Sequence, residues 1–153
     1  MAPLIVMLVS WVAARLAGFT GFWPQMDSWS DALRVALAAM FVFTGVSHFH
    51  RRTRRDLVRM VPPKLPKPAL LVTITGVVEF VGAAGLLLPT TATAAAYGMI
   101  ALLVAVFPAN LHAARVGVVI AGRRAMPIVW RAPLQLFWIV ALWWVAQSTP
   151  ITS

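Results

Sequence analysis

The chain predicts an all-α fold: a polytopic bundle of membrane-spanning helices. Three observations predict it. The hydrophobic fraction is 61% and the charged fraction 11%, against about 45–50% and about 25% in soluble domains. Five long apolar segments punctuate the sequence. The basic residues gather in two of the connections between them. A soluble domain of 153 residues could not cover its surface with so few charges, whereas a surface facing lipid needs none. The length fits one membrane domain over 1–153.

A spanning helix needs about 20 apolar residues. The first candidate runs over 3–22 with Arg15 as its only charge. It lacks a basic segment before its apolar run and a clear small-residue cleavage site, so it is expected to be retained rather than removed as a signal peptide. A polar turn over 23–30 contains Pro24 and Asp27. Ser30 is the expected N-cap of the second helix, with Asp31 in its first turn and Arg34 reaching back towards the interface. That helix is expected over 31–48.

The connection over 49–67 carries Arg51, Arg52, Arg54, Arg55, Arg59, Lys64 and Lys67. Thr53 and Asp56 have the spacing of a capping box. Leu57, Met60 and Val61 share one helical face, with Arg55 and Arg59 pointing away. One or two helical turns lying along the membrane surface are expected here, ended by Pro62 and Pro63.

The third helix is expected over 68–88, followed by the tight turn Pro89-Thr90-Thr91, which makes the third and fourth helices antiparallel neighbours. The fourth helix, 92–114, is kinked by Pro108. A second basic connection, 115–131, holds Arg115, Arg123, Arg124 and Arg131, with Gly117, Gly122 and Pro127 as breakers. The fifth helix is expected from Pro133 to about Gln147, with some of 128–132 available to lengthen it. Trp130, Trp138, Trp143 and Trp144 suit membrane interfaces.

Eleven of the thirteen basic residues lie in 49–67 and 115–131. The remaining connections carry one acid and no base. By the positive-inside rule the two basic loops face the cytoplasm of a cell membrane, the N-terminus is inside and the C-terminus outside. The net charge of +9 is therefore an orientation signal, and the same arginines suit anionic lipid headgroups. No nucleic-acid motif accompanies them. The absence of cysteine excludes disulfides, thiolate metal sites and CxxC chemistry within the chain. No His/Asp/Glu cluster has metal-site spacing, and no phosphate-binding loop or nucleophile elbow is present.

Glu79 is the most informative residue. It lies ten residues beyond Ala69, so at about 1.5 Å per residue it sits roughly 15 Å into the membrane. A carboxyl group there is either protonated or paired and turned into the bundle. Thr75, Gly76, Gly82 and Ala83 share its face, and small residues let another helix approach. It is read either as a proton-relay or ligand-binding group, or as a neutral group that locks helices together.

Two polar groups mark the cytoplasmic ends of helices two and four: Ser47-His48-Phe49-His50 and Pro108-Ala109-Asn110-Leu111-His112. His48, Asn110 and His112 have similar expected depths, with Glu79 two to three helical turns above them. Together they would form a polar funnel. Pro108 frees the carbonyl of Val104, to which a protonated Glu79 could donate. Axial ligation of haem by two of these histidines has no supporting motif, and His50 belongs with the neighbouring arginines.

Several segments together resemble the DoxX-like family of bacterial membrane proteins. They are Phe43-Thr44-Gly45-Val46-Ser47-His48-Phe49, Met60-Val61-Pro62-Pro63 with Leu65-Pro66, the run Thr75-Gly76 through Glu79 and Gly82 to Gly85-Leu86-Leu87-Leu88-Pro89, and Val106-Phe107-Pro108-Ala109-Asn110. The resemblance covers 31–147 and implies a four-helix core, to which the N-terminal helix is an addition. It implies His48, Glu79 and Asn110 as ligand-binding positions; His112 lies beyond the motif and is added on its proximity. The family takes its name from a subunit of a thiosulfate:quinone oxidoreductase. The resemblance thus implies a quinone or similar small apolar ligand, bound beside a redox partner in the membrane or cytoplasm, with no metal of the chain's own. Two other readings stand beside it. One is a non-catalytic anchor or assembly protein docking a cytoplasmic partner. The other is a small proton-coupled transporter component, for which so few spans would require a homo-oligomer.

Overall fold

A computed structural model describes residues 2–120 and 122–148, except for the side chain of Arg123. Six α-helices make up nearly all of it: α1 (Ala2–Phe19), α2 (Trp29–Phe49), α3 (Arg51–Met60), α4 (Pro68–Leu87), α5 (Ala92–Val116) and α6 (Ile128–Ser148). All but α3 are long and apolar enough to cross a bilayer, as a multi-pass membrane protein requires. A two-residue antiparallel ladder, β1 (Val119–Ile120) with β2 (Arg123–Arg124), closes the turn between α5 and α6.

The helices α2, α4, α5 and α6 form a closed ring. Each packs on the next, and α6 returns to α2. Among the long helices, α1 lies against α2 alone. Lipid tails are as apolar as leucine, so burying apolar side chains does not itself drive these helices together. Close packing does. Ala36, Ala38, Ala83, Ala96 and Ala146 are buried where helices meet, interleaved with Leu37, Phe41, Leu86, Met99 and Leu142. The outward faces carry Val81, Val104, Leu136 and Val140, each more than half exposed, as contact with lipid demands.

Two glycines on α4 set the spacing. A Cβ at Gly76 would stand 2.7 Å from His48 Cβ and 2.7 Å from Phe49 Cε2. A Cβ at Gly82 would collide with the Met99 side chain of α5. The Phe49 and Phe80 rings stack at 5.9 Å beside the first of these contacts.

Several boundaries differ from those the sequence predicts. α1 ends at Phe19 rather than residue 22, because Gly21 turns the chain at φ 74°. Arg15 then ties α1 to the following turn. Its guanidinium donates to the Asp27 carboxylate at 3.1 Å and to the Met26 carbonyl, and lies over the Trp29 ring. The N-cap of α2 is Ser28, not Ser30: the Ser28 hydroxyl accepts from the Asp31 backbone N–H at 3.0 Å, and the helix starts two residues early. Arg34 reaches back to Asp31 at 3.0 Å.

The interfacial segment is a full helix of ten residues rather than one or two turns. The Thr53–Asp56 capping box does not form, because Thr53 already lies inside α3 and donates to the carbonyls of Ser47 and His50. Met60 is buried, and Arg55 and Arg59 point outward as the periodicity predicts. α6 begins at Ile128, and Pro133 sits inside it. Pro127 precedes the helix and its carbonyl accepts the first backbone bonds from Trp130 and Arg131. Gly117, at φ 66°, ends α5. Of the expected outer segment 148–153, all but Ser148 lies outside the described residues.

Candidate proton-holding site

His48 and Glu79 meet across the α2–α4 contact. His48 Nε2 stands 3.5 Å from Glu79 Oε2, and the two side chains are only 13% and 12% exposed. The separation is within ion-pair reach but at the outer limit of a hydrogen bond. Glu79 Oε2 is sealed from solvent with no hydrogen-bond partner among the described residues. Sequence-derived depths put Glu79 two to three turns above His48. The difference arises because α4 starts well below the end of α2: Val72 and Gly76 are level with His48. Glu79 is then one helical turn past Gly76, within reach of the imidazole.

The other ring nitrogen decides the chemistry. His48 Nδ1 lies 2.9 Å from the Val72 carbonyl oxygen. A carbonyl only accepts, so Nδ1 is assigned the proton. In a neutral ring Nε2 is then a bare acceptor. If Glu79 were ionised opposite it, two acceptors would face each other across a poorly solvated gap. A proton on either atom removes that conflict, giving imidazolium with carboxylate or neutral imidazole with carboxylic acid. Burial penalises the charged pair and Coulomb attraction favours it, but both forms hold one proton between Nε2 and Oε2.

The pair is held firmly. Arg54, from α3, donates to the His48 backbone carbonyl at 3.0 Å. Its other terminal nitrogen donates to the Ala69 carbonyl at 3.1 Å and to Thr73 Oγ1 at 2.9 Å. The cation thus sits at the C-terminal end of α2, where the helix dipole favours it, and fastens that end to α4. Sequence reasoning missed this role. Nothing distinguishes Arg54 among the neighbouring arginines except its place on the inward face of α3, where it is half-buried while Arg51, Arg52, Arg55 and Arg59 are exposed.

Asn110 belongs to a second polar group, between α5 and α6. Its Nδ2 donates to Gln135 Oε1 at 3.1 Å, and its Oδ1 accepts from Arg131. Gln135 Nε2 donates to the Leu103 carbonyl at 2.7 Å. The Gln135 bond goes to the Leu103 carbonyl, one residue before the Val104 carbonyl that Pro108 frees, and no described hydrogen bond joins Glu79 to Val104. Gln135, only 6% exposed, was also missed. An amide in the middle of an apolar span is a detectable signal, since it must find a partner there. His112 is half-buried and makes no side-chain hydrogen bond among the described residues. No described hydrogen bond or ion pair joins the Asn110 group to His48 and Glu79, so the four expected residues fall into one pair, one separate network and one unengaged histidine. Among the described residues no three His, Asp or Glu side chains converge, so the pair offers two donors and no wider ligand set.

Comparison with curated proteins and with solved structures gave no match. The profile of one family, a domain of unknown function (DUF8561), matches residues 37–146. The match begins within α2 and ends within α6, so it spans the four-helix ring and leaves out α1. It takes in His48, Glu79, Asn110 and Gln135, and it shows that the chain belongs to the DUF8561 family.

Proposed function

We propose that this is a cell-membrane protein, with its basic loops in the cytoplasm, whose His48–Glu79 pair exchanges a proton with a small apolar ligand of the quinone type. One observation carries the reading: a largely enclosed imidazole and carboxyl group face each other at 3.5 Å, with the far nitrogen of the ring held by the Val72 carbonyl. Reduction of a quinone consumes protons as well as electrons, and the chain has no thiol to supply the electrons. A redox partner supplies them in this reading. The resemblance to the DoxX-like family, carried by the segments around His48, Glu79 and Asn110, supports the same chemistry. Asn110 stays outside the pair in this reading, because its amide is engaged by Gln135 and Arg131.

A second reading, a non-catalytic anchor, is favoured by one specific feature. The pair lies beside the tight α2–α4 contact at Gly76, so the same contact serves packing. Glu79→Gln separates the two. The glutamine can still donate to His48 Nε2, but it cannot give up a proton. Purified wild-type protein in nanodiscs is expected to retain a quinone and to take up protons on its reduction. The variant is expected to fold and retain the quinone but to lose the proton uptake. A Glu79→Gln protein with unchanged proton uptake would overturn the first reading.

A further inference from the structure

The interfacial helix α3 carries a feature that proton chemistry does not use. Arg51, Arg52, Arg55, Arg59 and one acid, Asp56, line an open concavity against Gly122 in the turn between β1 and β2. Arg51, Arg55 and Arg59 are spaced i, i+4, i+8 along one face. Like charges at that spacing destabilise a helix, so the stripe opposes its own secondary structure. Asp56 relieves part of it through Arg59 at 3.7 Å. Arg51, Arg52 and Arg55 have no carboxylate partner among the described residues.

Placement selects the occupant. α3 starts two residues after α2 ends, and α4 starts at Pro68. Its inward face is fastened to the bundle by buried Met60 and by the bonds of Arg54 to α2 and α4. It therefore cannot lift away from the ends of the spans, where lipid phosphates lie. Guanidinium groups bind phosphate in a bidentate manner, and three of them exceed what one phosphodiester charge can match. We infer that the concavity is a binding site for the headgroup of an anionic phospholipid that carries two phosphates.

The test uses the full-length protein in nanodiscs of phosphatidylcholine doped with either a one-phosphate or a two-phosphate anionic lipid, with retained lipid counted by native mass spectrometry. Wild type is expected to retain one two-phosphate lipid in preference to the one-phosphate lipid. The Arg51→Gln/Arg52→Gln/Arg55→Gln variant is expected to lose about a hundredfold in affinity, from about 1 kcal/mol for each arginine near a membrane surface. A control with the same charge change elsewhere, Lys64→Gln/Lys67→Gln/Arg115→Gln, is expected to lose clearly less than the site variant, because those side chains do not line the concavity. An equal loss in both variants would overturn the site in favour of general surface charge. Complete displacement of the lipid by millimolar pyrophosphate would overturn it in favour of a soluble anion. Displacement by an acidic protein, with no preference between the lipids, would overturn it in favour of a docking surface.

Discussion

Gly76→Ala is the sharpest perturbation of the α2–α4 contact. The new methyl group would stand 2.7 Å from His48 Cβ, 2.7 Å from Phe49 Cε2 and 3.1 Å from His48 Cγ. Ordinary carbon–carbon contact is about 3.5–4.0 Å, so about 1 Å must be found. The Phe49 ring can swing, but His48 Cβ is fixed to the backbone of α2, so the helix itself must move. Overpacking of this kind costs about 1–3 kcal/mol. The same movement stretches the 3.5 Å His48–Glu79 separation past the limit of about 4 Å for an ion pair. Gly98→Ala is the internal control, because a Cβ there meets nothing within 4 Å. It should be neutral or slightly stabilising, by up to about 1 kcal/mol. Unfolding of both variants in a titration of sodium dodecyl sulfate against a fixed mild detergent reads the difference. If Gly76→Ala unfolds together with Gly98→Ala, the helices do not approach as described and the account of the pair fails with them.

Other expectations follow from the same contacts. A double-mutant cycle on His48→Ala and Glu79→Ala should give a coupling of about 0.6–1.7 kcal/mol, the range for polar contacts between membrane helices; strictly additive losses would mean that the pair does not interact. Gln135→Leu removes the second donor to the Leu103 carbonyl and the acceptor of the Asn110 amide, and should cost about 1–3 kcal/mol in the same titration despite its similar shape; wild-type stability would refute the network. The chain has no cysteine, so single thiols report topology cleanly. A membrane-impermeant reagent should label Thr90→Cys in intact cells and Arg52→Cys only after permeabilisation, and labelling of both in intact cells would contradict the alternation of spans.

The spans were legible because hydropathy is a property of composition over about 20 residues, which needs no knowledge of neighbours. The turn at Pro89 and the breaker role of Gly117 were legible for the same local reason. α3 was under-read because arginines dilute its apolar face, and that face gains its meaning only when Met60 meets the bundle. The cap moved from Ser30 to Ser28 because both serines suit the position, and Asp31 bonds to one of them. His48 and Glu79 could each be singled out, but their partnership depends on how far α4 starts below the end of α2. That offset is fixed by the 61–67 connection, by Arg54 and by the His48–Val72 contact, none of which a local pattern states. Asn110 could be singled out too, while its partners Arg131 and Gln135 lie on a helix whose register against α5 no local pattern states.

The central claim is that one proton is shared between His48 Nε2 and Glu79 Oε2. Glu79 is the only glutamate, so 13C-labelled glutamate reports it without ambiguity, and His50→Gln with His112→Gln leaves His48 as the only histidine for 15N labelling. Solid-state NMR of that protein in bilayers, without ligand or reductant, should show Nδ1 protonated, as its contact with the Val72 carbonyl requires. It should also show an ionised Glu79 whenever Nε2 carries the proton and a protonated Glu79 whenever Nε2 does not. In the resting protein, without ligand or reductant, a neutral His48 beside an ionised Glu79, or a neutral ring with its proton on Nε2, would contradict the account.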